Sequence, residues 1–90
     1  MKKGKIVLIK ETNGMIHQKT YDSELYIIKI VDFEGRSVEM IPKHPLMPGI
    51  KMLNEHIDIS MPAGHQRELI PLYQKHFQEV EELIEVVKEL

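Results

Sequence analysis

The sequence predicts an α+β domain: an antiparallel sheet of four to five short strands, with one long C-terminal amphipathic helix packed on it. Three observations predict this class. Residues 1–60 contain β-branched runs separated by turn residues, residues 61–90 carry apolar side chains at helical spacing, and 90 residues suffice for one domain. A small curled β-barrel followed by the same helix is the alternative, because one helix covers only one face of a sheet. We therefore expect a single domain over 1–90, β-rich up to residue 60.

The first three strands are predicted from their residue types and turns. Residues 5–11 are rich in Ile, Val and Leu and stop before Asn13 and Gly14, a pair that favours a tight hairpin turn. The more polar residues 15–21 suit an edge strand. Residues 24–32 are apolar on both faces, which is typical of a central strand.

Residues 42–54 separate a fourth strand at 36–41 from a short last strand around Ile57 and Ile59. Three prolines in this segment argue against regular pairing, so we expect an irregular loop. Its apolar side chains make it either a cover for the core or a binding surface. A partner-binding site is predicted at these residues: His44, Leu46, Met47, Ile50 and Met52.

The C-terminal helix is predicted from side chains spaced alternately by three and four residues, which places them on one stripe. The stripe comprises Ile70, Tyr73, Phe77, Val80, Ile84 and Val87. Pro71 removes one helical hydrogen bond, so residues 62–90 form either one helix kinked at Pro71 or two helices. Ser60 is a candidate cap for the first turn.

The helix is too long for the sheet that should cover it. Twenty helical residues span about 30 Å, whereas strands of ordinary length span about 17–20 Å. Together with the apolar second face of the sheet, this mismatch predicts a homodimer. The predicted dimer interface consists of Phe77, Val80, Ile84, Val87 and Leu90.

Composition excludes several kinds of chemistry. The chain has no cysteine, which rules out disulfides, thiol catalysis and cysteine-bound metals. Its five histidines lack metal-binding spacings, and no nucleophile or phosphate-binding motif occurs. We therefore predict no catalytic residue, no cofactor and no metal. The longest apolar runs have four residues, which predicts neither a membrane span nor a secretion signal and favours a cytoplasmic protein.

The predicted role is that of a small non-catalytic protein acting through protein–protein contact, as a regulator or an assembly component. Two alternatives stay open. One is a small-ligand sensor or enzyme with its site under the 42–54 loop. The other is a nucleic-acid-binding module that uses the sheet, although the net charge of −2 and the acidic helix make nucleic acid a poor partner. Its contacts would come from Lys2, Lys3, Lys5, Lys10, Lys19, Lys29 and Arg36, with Tyr21 or Tyr26 for stacking.

Overall fold

A computed structural model describes residues 6–12, 14–45, 47–60 and 70–90, apart from the side chains of Leu72 and Tyr73. Six strands and one helix form within these ranges. The elements are β1 (Val7–Thr12), β2 (Gln18–Asp22), β3 (Tyr26–Asp32), β4 (Arg36–Pro42), β5 (Gly49–Leu53), β6 (His56–Ser60) and α1 (Ile70–Lys88). The α+β class predicted from the sequence is confirmed, with six strands instead of four or five. The sheet is open, so the barrel alternative does not apply.

The six strands pair in the order of the sequence, each antiparallel to the next. β1 and β6 are therefore the two edges of the sheet. The polar second strand, predicted as an edge, lies instead between β1 and β3. In a meander the first strand has a neighbour on one side only, and this connectivity overrides the polarity of the second strand.

β5 is the strand that the sequence did not predict. It lies in the segment expected to be irregular, but Pro42, Pro45 and Pro48 all precede its pairing residues. From Gly49 onward the chain alternates between buried and exposed side chains, as a half-covered strand does. The prolines therefore confine the irregular backbone to the loop between β4 and β5.

The core lies between one face of the sheet and the C-terminal half of α1. From the helix it takes Val80, Leu83, Ile84 and Val87. From the sheet it takes Tyr21, Tyr26, Ile28, Ile30, Val38, Met40, Ile50 and Met52. We call this face of the sheet the helix-covered face and the opposite one the open face. Among the described side chains that precede Val80 in α1, none is buried.

Pro71 occupies the first turn of α1 as it is described, from Ile70. There a missing N–H leaves no helical carbonyl without its partner, because the first N–H groups of a helix have none within it. The choice between one helix kinked at Pro71 and two helices depends on residues 61–69, which lie outside the described residues. Ser60, the predicted cap, is the last residue of β6.

Arg36 fixes the C-terminal end of α1 over the sheet. Its Nη2 donates to the Val87 carbonyl at 2.8 Å, and its Nη1 donates to the Lys88 carbonyl at 3.3 Å. The last carbonyls of a helix have no partners within it and carry a partial negative charge, so a guanidinium stabilises them on both counts. The backbone of Arg36 also bonds to Asn54, whose N–H donates to the Arg36 carbonyl at 2.8 Å.

We expect Arg36→Gln to lower the free energy of unfolding by about 1–2 kcal/mol, because a charged donor to helix carbonyls is lost. Urea unfolding measures this change. Lys75→Gln is the matched control, since it removes an exposed cation from α1 without touching the helix end. Equal effects of the two substitutions would contradict the role of Arg36.

Candidate interaction surface

The two edge strands expose apolar side chains. In β1 these are Val7, Leu8 and Ile9, and in β6 they are Ile57 and Ile59. Leu8 and Ile59 are 45% and 47% exposed and belong to the same row of the helix-covered face. That row continues through the buried centre of the sheet, so α1 covers its middle and leaves both ends accessible.

A second row crosses the open face and carries charge. It consists of Lys10, Thr20, Lys29, Glu39, Lys51 and Asp58, one residue from each strand. We call it the charge row. From Lys29 onward the signs alternate, and Lys51 Nζ lies 3.9 Å from Glu39 Oε2. Opposite charges on facing residues stabilise neighbouring strands modestly. The row begins at one edge of the sheet with a lysine and ends at the other with an aspartate.

Each edge strand carries a different local feature. The pairing of β1 with β2 shifts register between Leu8 and Lys10, so that Ile9 forms a bulge. Beside β6, a groove of about 410 Å³ runs between the strand and α1, lined by Ile57, Glu81, Glu82, Ile84, Glu85 and Lys88. One wall of this groove is thus mainly acidic and the other apolar.

The predicted partner-binding residues of the 42–54 segment separate into two groups. Met47, Ile50 and Met52 are buried, while His44 is exposed. Leu46 lies outside the described residues. The loop before β5 is held to the core, because the Tyr26 hydroxyl donates to the Pro48 carbonyl at 2.9 Å and Pro48 is itself fully buried.

The predicted dimer residues on α1 are also divided. Val80, Ile84 and Val87 pack into the core of their own chain, Phe77 is half-buried and Leu90 is exposed. A contact between copies through the three buried residues would require this core to open. The sequence analysis assigned the excess length of the helix to its C-terminal turns, whereas the structure anchors those turns over the sheet.

The aromatic residues considered for base stacking face the helix. Tyr26 is fully buried and Tyr21 nearly so, and both belong to the core. Of the lysines considered with them, Lys10 and Lys29 lie on the open face, opposite Thr20 and Glu39 respectively. Lys19 lies on the helix-covered face opposite Glu11. Lys2, Lys3 and Lys5 lie outside the described residues.

A polar cleft of about 500 Å³ lies on the helix-covered face beside β1 and β2. Lys19 and Arg36 line it together with Glu11 and Asp32, above a floor that includes Ile30. The two cations and two anions of this cleft balance each other, so the cleft does not favour a ligand of either charge. Within the described residues, no three acidic or histidine side chains come together as metal ligands, and no helix is long and apolar enough to cross a membrane.

The sequence analysis missed the edge residues Val7, Leu8 and Ile9 as a candidate surface. Their apolar character was visible, but it served only as evidence for an apolar second face of the sheet and not as a sign of an edge strand. The available signal was connectivity, because the short turns predicted between the first four strands favour a succession of hairpins, which leaves the first strand at an edge of the sheet.

Comparisons of the chain with protein-family models, with curated proteins and with solved structures found no match.

Proposed function

We propose that the protein acts without catalysis, through protein–protein contact, as a regulator or assembly component in the cytoplasm, and that it forms a homodimer. The observation that carries this proposal is the exposure of apolar residues at both edges of the sheet. Charged residues and a bulge protect part of these edges, with Lys10 and Ile9 in β1 and Asp58 in β6, but they leave the apolar side chains beside them uncovered. Here Leu8 and Ile59 extend an otherwise buried row to both edges.

An edge strand has backbone hydrogen-bonding groups on its outer side that no strand of its own sheet satisfies. Its outward backbone N–H and C=O groups are free to pair with a further strand, and β1 and β6 have no neighbouring strand on their outer sides within the described ranges. A strand added there would satisfy these groups and cover the exposed apolar side chains at the same time. Association therefore gains from hydrogen bonding and from apolar burial.

Light scattering behind a sizing column tests the homodimer. We expect a mass of twice the 10.5 kDa of one chain, with dissociation on dilution. Combining Leu8→Thr with Ile59→Thr should shift the protein towards monomer, because both exposed apolar ends of the row are removed. Threonine is β-branched and therefore suits a strand at both positions.

Ile41→Thr is the matched control, because Ile41 is similarly exposed, at 37%, but lies on the open face of the interior strand β4. It should leave the mass unchanged. A wild-type chain that stays monomeric up to millimolar concentration would overturn the proposal.

A further inference from the structure

We propose that the two edges of the sheet are complementary to each other, so that β1 of one copy pairs with β6 of a second copy, head to tail. This inference rests on the proposed function and specifies the surface through which the copies meet. Each β1 edge therefore binds the β6 edge of another copy, and each β6 edge binds the β1 edge of another copy.

Strand direction permits this pairing. The sheet is an antiparallel meander with an even number of strands, so β1 and β6 run in opposite directions. A second copy placed beside the first, in the same orientation, therefore brings its β1 antiparallel to β6. The junction continues the antiparallel pairing of each sheet, with Ile9 left unpaired between Leu8 and Lys10 as it is in the pairing of β1 with β2.

We place the two copies so that the rows of side chains across one sheet continue into the next sheet. This register makes the junction specific for unlike edges. Lys10 of one copy faces Asp58 of the next, which extends the alternation of signs along the charge row. On the other face Leu8 meets Ile59, and each covers the other's exposed surface. Glu11 falls in the row of Ile57, beside a groove with three glutamates and one lysine, so its charge opposes the junction and the attraction comes from the other two rows.

Pairing of two β1 edges or of two β6 edges does not bring opposite charges together. When two β6 strands meet with their charge rows aligned, Asp58 faces a second Asp58. Two β1 strands aligned in the same way place Lys10 opposite Lys10. Facing like charges destabilise neighbouring strands, so charge favours the unlike edges over either self-pairing. A head-to-tail contact is heterologous, so the dimer it forms keeps one free β1 and one free β6. At higher concentration these free edges add further copies, which gives a ring or a filament.

Charge reversal at the two ends of the charge row tests the junction. Lys10→Glu and Asp58→Lys should each raise the dissociation constant roughly two- to thirtyfold at low salt, because attraction across the junction becomes repulsion. An equimolar mixture of the two variants should associate about as tightly as wild type, since each reversed edge then finds an opposite charge. The measurement is light scattering over a concentration series.

The mixture contains only the two variant proteins, so its recovery cannot come from repaired folding. Circular dichroism of each variant verifies that the fold is retained, and Lys75→Glu, on the exposed side of α1, serves as the charge-reversal control. Association that is insensitive to Lys10→Glu, or a mixture that fails to recover, overturns the head-to-tail junction while leaving the homodimer intact. A wild type that never associates overturns both proposals.

Discussion

Ile28→Ala is expected to lower the free energy of unfolding by about 2–5 kcal/mol. Ile28 is fully buried at the centre of β3, between Tyr21 and Met40 in the row that α1 covers. Truncating it removes apolar contacts and leaves a cavity that the flanking strands cannot fill. For a domain of this size, whose total stability is about 5–15 kcal/mol, the loss should lower the melting temperature by more than about 10 °C.

The adjacent residue is the matched control for this substitution. Ile27 lies in the same strand, is half-buried and points to the open face. Ile27→Ala should cost about 1 kcal/mol, because part of its surface is already in water. Thermal and urea unfolding of both variants would reveal which face is covered. Comparable losses from the two substitutions would mean that the open face is buried as deeply as the helix-covered face.

Tyr26→Phe is expected to reduce the free energy of unfolding by about 1–3 kcal/mol at neutral pH. The substitution keeps the ring in the core but removes the hydroxyl that donates to the Pro48 carbonyl at 2.9 Å. A buried carbonyl without a donor carries a desolvation penalty of this size. Because the bond holds the loop before β5, amide exchange in residues 47–50 should accelerate in the variant.

Tyr26 should also make the free energy of unfolding depend on pH in the alkaline range. Burial raises the pKa of Tyr26 to about 12, from an ordinary value of 10.0. Above pH 10 the unfolded chain releases this proton while the folded chain retains it, so unfolding becomes progressively more favourable up to about pH 12. The stability associated with Tyr26 is fully present below pH 10, and about 2–3 kcal/mol of it is lost across this interval.

Urea unfolding between pH 8 and pH 12 measures the difference between wild type and Tyr26→Phe. The advantage of the wild type should shrink above pH 10 and vanish or reverse near pH 12. Tyr21→Phe serves as the comparison, since it retains Tyr26 and the slope that Tyr26 produces. A constant difference between wild type and Tyr26→Phe across the whole range would show that the buried hydroxyl does not titrate as described.

The fold was largely predictable because its elements have local causes. Alternation identified β6 at Ile57 and Ile59, and the three–four spacing identified α1 from Ile70 onward. β5 was not predicted because Pro48 directly precedes it and the three prolines from Pro42 to Pro48 predict an irregular backbone for the whole segment. The pairing of Ile50 with Met40 and with Ile59 depends on the two flanking strands, and residues 49–53 alone do not specify it.

The candidate surface was much less predictable. Val80, Ile84 and Val87 have the pattern of an interface helix, and the same pattern also serves to cover the chain's own sheet. Which partner covers the stripe depends on where α1 lies, and Arg36 fixes that position from a strand about fifty residues earlier in the sequence. Periodicity identifies a face that must be buried, but it does not identify what buries it.

Taken alone, the sequence determined five of the six strands, the amphipathic helix and the absence of thiol chemistry, because these follow from side-chain periodicity and residue type within short segments. Only the tertiary structure decided that β1 and β6 are the edges, and that Lys10 and Asp58 end a single charge row. Those properties arise from pairings between residues distant in the chain, and no local pattern of side chains encodes them.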